Sequence, residues 1–157
     1  MSSVAEGGPE RRSMLTQDIV ARTGIDEAMI ERLVHGFYAR VRDDALIGPI
    51  FASKITNWDS HLAKMCSFWS SVALMSGVYH GQPMRAHLPL PVDTQHFDRW
   101  LELFAQTAHE ICPPAAATHF IERAQRIAES FELGVAAFRG EIKPVRRPPL
   151  PPVSAEG

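Results

Sequence analysis

Four stretches of this chain set apolar residues three and four positions apart, and none convincingly alternates them in twos. The first reads Met29, Ile30, Leu33, Val34, Phe37, Tyr38 and Val41, and the second Trp58, His61, Leu62, Met65, Phe68, Trp69 and Val72. The third reads Phe97, Trp100, Leu101, Phe104, Ala108 and Ile111, and the fourth Phe120, Ala124, Ile127, Ala128, Phe131, Val135 and Phe138. Residues at that spacing share one face of an α-helix, whereas a half-buried strand needs a period of two. Four helices with one apolar face each must bury those faces against one another, so the chain is expected to be all-α.

Punctuation between the stripes supports the same division. Asp26 is placed to cap the first helix, Thr56 or Asn57 the second, and Asp93 or Thr94 the third, while Pro113-Pro114 separates the third from the fourth. A shorter helix around Thr16–Arg22 is expected before the first stripe. Asp43, Asp44, Gly48 and Pro49 interrupt the pattern, with Phe51 set in that corner, and Ser76 and Gly77 close the second stripe. From Gly77 to Asp93 the chain carries Gly81, Pro83, Pro89 and Pro91, leaving room for one helical turn, Pro83–His87, with proline at its first position. A connection that long inside a compact domain is usually functional. At the ends, residues 1–12 and the Pro-rich residues 141–157 offer little to bury and are expected to be disordered, leaving 13–140 as the domain. The tail's Arg146, Pro149 and Pro152 formally match a polyproline ligand, but a disordered tail is the simpler reading.

Charge and motifs exclude several function classes. Sixteen Lys and Arg against eighteen Asp and Glu leave a formal charge of -2, so there is no basic field to drive binding to nucleic acid or an anionic membrane. No apolar run approaches the roughly 18 residues of a membrane-spanning helix. The polar N-terminus lacks the apolar core of a signal peptide, and two cysteines cannot make a disulfide framework, so a cytoplasmic location is expected. There is no HExxH, CxxC or CxxCH, no Gly-rich phosphate loop and no GxSxG.

Seven histidines remain to be placed. His61 lies inside the second apolar stripe, where an imidazole must find a partner or leave a buried polar group unpaired at about 1–3 kcal/mol. Taken alone, such a histidine is more often a core residue bonded to neighbouring backbone. His87 ends the turn pinned by Pro83 and Pro89, and rigid backbone suits a metal ligand whose ring direction must be fixed. His35, His80, His96, His109 and His119 read as surface residues. Tyr38 and Trp100 carry polar tips on inward stripes, and a buried phenol or indole seeks an acceptor. With His61 they make three polar tips in one apolar interior, an arrangement suited to a small polar ligand.

At this point the sequence resembles the group III truncated haemoglobins. The similarity runs from about Glu31 to Phe131 and is carried by Phe37-Tyr38-Ala39-Arg40-Val41-Arg42, by Leu46-Ile47-Gly48-Pro49-Ile50-Phe51 and by Phe68-Trp69. It continues through the loop from Tyr79 to Leu88 and the segment Phe97-Asp98-Arg99-Trp100-Leu101-Glu102-Leu103-Phe104. The resemblance implies a truncated globin, a two-over-two helical sandwich holding a non-covalent haem b with five-coordinate iron.

Carried over position by position, it implies His87 as the iron ligand and Tyr38, His61 and Trp100 as the residues around the bound gas. It further implies Phe37, Phe51, Met65 and Phe68 against the haem, and Lys64, Arg85 and Tyr79 as partners for its propionates. The implied ligands are diatomic gases: oxygen, nitric oxide and carbon monoxide. Two uses stay open. One is detoxification of nitric oxide or reactive oxygen species, as a nitric oxide dioxygenase or a peroxidase-like enzyme served by an electron-donating reductase. The other is a haem-based sensor or binding protein without turnover.

Overall fold

The computed structural model describes the backbone of residues 3–141 and the side chains of residues 11–141. Its helices are α1 (Ser3–Thr23), α2 (Glu27–Asp43), α3 (Gly48–Lys54), α4 (Trp58–Leu74), α5 (Pro83–His87), α6 (Thr94–Ile111) and α7 (Pro114–Phe138), and no strand occurs among the described residues. α2, α4, α6 and α7 carry the four apolar stripes. α2 packs on both α4 and α6, and α6 packs on α7, which gives the two-over-two helical sandwich expected above.

Local chemistry explains the boundaries. The Asp26 carboxylate accepts from the Met29 N–H at 2.8 Å, and the Asn57 side chain accepts from the Ser60 N–H at 3.0 Å, each satisfying an orphan donor of a first turn. At α6 the Asp93 N–H donates to Nδ1 of His96 at 3.0 Å, so a histidine assigned from sequence to a polar surface serves as half of a capping box. α4 ends at Leu74, one residue before Met75, which takes the left-handed conformation at φ 57°.

Two stretches depart from expectation. α1 extends well beyond Thr16–Arg22, backwards over part of the segment expected to be disordered. The corner after α2 is itself helical, because Pro49 stands in the first turn of α3, where a missing N–H costs nothing. Asp44 sets this corner. Its carboxylate accepts from the Leu46 and Ile47 N–H groups at 3.0 Å each and from Arg99 Nε at 2.7 Å. Burial pushes the Asp44 carboxyl up, but those donors outweigh it and hold the group below its usual range. The Pro-rich tail from residue 142 onward lies outside the described residues.

The central core is Phe37, Phe104, Phe120, Ile30, Leu33, Val34 and Val41, all essentially inaccessible. The inner stripes are covered unevenly. Trp69, Ala73 and Leu74 at the end of α4 are buried, whereas Leu62, Met65 and Phe68 in its first turns stay half-buried, as do Trp100, Ile127 and Phe131. One end of the sandwich is therefore dry and close-packed, and the other presents incompletely covered apolar side chains.

Candidate functional site

α5 is five residues long and begins with Pro83, whose ring fixes φ and whose missing N–H is not needed at a helix start. One turn later Nδ1 of His87 lies 2.6 Å from the Pro83 carbonyl oxygen. A carbonyl only accepts, so Nδ1 carries the proton and Nε2 keeps its lone pair. Burial holds the His87 imidazole below its ordinary pKa, with the Pro83 bond opposing part of that shift. The Phe131 ring of α7 lies 4.6 Å from the His87 ring, centroid to centroid, at an interplanar angle of 39°. Gly134, one turn further along α7, lets α5 lie close: a Cβ there would stand 2.5 Å from Met84 Sδ. The result is a neutral, directionally fixed imidazole with one nitrogen free to ligate.

A second group of rings comes from α2, α3, α4 and α6. Tyr38 meets His61 edge to face at 5.0 Å and 86°, and meets Phe51 at 5.7 Å. Phe37 meets Trp100 at 5.5 Å, and Trp100 stacks on Phe104 at 5.6 Å and 13°. Tyr38 and His61 are thus in direct contact, and Trp100 joins them through Phe37. Burial raises the Tyr38 pKa far above that of a free phenol, so its O–H remains a donor.

His61 Nε2 is buried with no hydrogen-bond partner. Leaving such an atom unpaired costs about 1–3 kcal/mol, which marks the position as one built for a polar partner. Burial, then the charges of Lys64 and His87, hold its imidazole below the usual pKa.

The remaining expected residues fall around this centre. Met65 and Phe68 are half-buried on the inner stripe of α4, and Tyr79 packs on Phe68 at 5.3 Å while its N–H donates to Ser71 Oγ. Lys64 and Arg85 are exposed, and Arg85 donates to Gln82 Oε1 at 3.1 Å. Phe37 is 1% exposed and lies in the core beneath Trp100.

Three features escaped the sequence reading. Phe131 was counted only as core and packs on His87. Trp58 packs on His61 at 5.7 Å. His119, read as a surface residue, is buried, and its Nε2 lies 2.9 Å from the Ala73 carbonyl, tying α7 to α4. A signal did exist for the Pro83 carbonyl, which stands four residues before His87 in a helical turn.

Among the described residues no group of three or more His, Cys, Asp or Glu could hold a metal ion. A single neutral imidazole fits a metal whose other ligands come from a macrocycle, and the half-covered apolar side chains fit that macrocycle's faces. The residues present fit haem.

Comparison with known proteins agrees. A model of the bacterial-like globin family matches residues 21–132. Over 113 residues the chain is 36% identical to a group 3 truncated hemoglobin of Campylobacter jejuni, covering 69% of this chain and 89% of that protein. It is 34% identical over 79 residues to a group 2 truncated hemoglobin of Bacillus subtilis, covering 49% and 60% of the two chains. The crystal structure of a group III truncated hemoglobin from Campylobacter jejuni superposes with a TM-score of 0.64 at 37% identity, covering 69% of this chain and 89% of that one.

Proposed function

The chain belongs to the bacterial-like globins as a group III truncated haemoglobin, and from that premise we propose that it binds a haem b through His87 and holds oxygen, nitric oxide or carbon monoxide beside Tyr38 and His61. Haem binding and gas binding in general follow from the family. The assignment of residues and the use made of the gas are our reading.

When bound, haem would be held through the His87 imidazole and would supply an iron atom able to bind a diatomic gas. The observation that carries the reading is the Pro83 carbonyl on His87 Nδ1, which leaves Nε2 as the ligating lone pair and fixes the ring. The Tyr38 O–H and the neutral His61 ring would supply donors to a polar ligand, with the Trp100 N–H as a third candidate. With haem covering the site, each such bond would contribute about 1–3 kcal/mol. Lys64, Arg85 and Tyr79 would meet the propionates, and Phe51, Met65 and Phe68 the ring faces and edge.

Several donors around one ligand position favour retention over rapid exchange. That suits turnover of nitric oxide in the cytoplasm, with electrons delivered by a separate reductase, better than oxygen carriage. Titrating the purified protein with haemin tests the core of this reading. A Soret band should saturate at one equivalent, and His87→Ala should weaken or shift it. Failure of the wild-type protein to take up haemin would overturn the reading.

A further inference from the structure

We propose that Arg42 and Trp58 form a clamp that holds His61 in its inward orientation, which makes Trp58 a positioning residue. His61 Nε2 is buried without a hydrogen bond, so nothing polar at that nitrogen fixes the ring. What flanks it is aromatic on two sides: Tyr38 at 5.0 Å and 86°, and Trp58 at 5.7 Å and 87°. Tyr38 is buried within α2 and has little freedom to move. Trp58 is the first residue of α4 and only half-buried, so its own position needs support. On one side Trp58 packs on the Tyr38 ring at 6.0 Å, and further support comes from Arg42 in the last turn of α2, whose guanidinium carbon lies 4.4 Å from the Trp58 ring centroid. A planar cation over an indole face is an oriented contact that a hydrocarbon of equal size would not replace. Arg42 is exposed, and its contact with Trp58 joins the end of α2 to the start of α4 beside His61.

The meaning of the clamp rests on the haem reading, but its test does not. Diethyl pyrocarbonate acylates neutral imidazole nitrogen, and peptide mapping gives the rate at each histidine. The rate at His61 is read relative to that at the exposed His109, in the protein as purified and after haemin loading. Trp58→Ala should raise the ratio severalfold. Arg42→Met should raise it about two- to fivefold, the loss expected for a cation–π contact, and Arg42→Lys should restore part of the protection. In the reduced, haemin-loaded protein, carbon monoxide rebinding after photolysis should change in the same order of variants. Should Trp58→Ala fail to fold, the Arg42 pair decides, because that residue is on the surface. An unchanged ratio in Arg42→Met overturns the clamp. A wild-type protein that takes up no haemin overturns the functional reading instead, while the labelling ratio still tests the clamp.

Discussion

The ring of Phe131 lies 4.6 Å from that of His87, and the two are held on different helices, α7 and α5. α5 is too short to orient a side chain by itself, so His87 takes its direction from this contact and from the Pro83 carbonyl. Phe131→Ala removes the contact without touching a ligating atom. It should lower stability by about 2–3 kcal/mol, below the usual cost of a fully buried phenylalanine because the ring is half-buried. It should also speed transfer of haemin to apomyoglobin. Unchanged transfer would show that Pro83 alone orients the ring.

Tyr38→Phe removes the phenolic O–H and keeps the ring contacts with His61, Phe51 and Phe37. Loss of one donor worth about 1–3 kcal/mol corresponds to an oxygen release rate roughly 5- to 150-fold faster, measured by stopped flow. Trp100→Phe should have the smaller effect, because the Trp100 ring packs on Phe37 and Phe104 rather than on Tyr38 or His61. The reverse order would place the indole N–H nearer the ligand than Tyr38.

Burial holds His61, His87 and His119 below the ordinary imidazole value of 6.5 in the folded chain. Below pH 6.5 the unfolded chain therefore binds more protons than the folded one, and stability falls as the pH falls. The haem-free protein should show a Tm that is flat above neutrality and declines as the pH drops through the histidine range. His119→Gln should reduce that decline. A Tm independent of pH between 7 and 5 would contradict the assignment of three neutral rings.

Met75 ends α4 in the left-handed region, with φ at 57°. That conformation is easy for glycine and strained for a residue with a Cβ. Met75→Gly should raise stability by about 0.5–1 kcal/mol, read from chemical denaturation, with no change in gas binding. Met75 is exposed, so no core contact is lost in exchange.

The helices that carry strong stripes were readable because their period and their caps agree, as at Asp26 and Asn57. The Pro83–His87 turn was readable because proline marks a helix start. α1 was largely missed, since a helix with few apolar positions leaves no stripe to follow. α3 was read as an interruption because Gly48 and Pro49 break a helix in its middle but open one at its start. At the centre, the sequence named Tyr38, His61 and His87, whose chemistry is legible from residue type and position. It could not show that Phe131 and Trp58 touch those rings, because such contacts join helices far apart in the chain. His119 was misplaced for the same reason: its partner is a backbone carbonyl 46 residues away.

The uneven covering of the α4 stripe has a consequence for the cell. Leu62, Met65 and Phe68 are half-buried while Trp69, Ala73 and Leu74 further along the helix are packed away. Whatever covers them adds its binding free energy to folding, about 2.7 kcal/mol at a free concentration one hundred times the Kd. The amount of this protein that survives proteolysis should therefore follow the supply of haem. Tetrapyrrole synthesis would then act on protein abundance after translation.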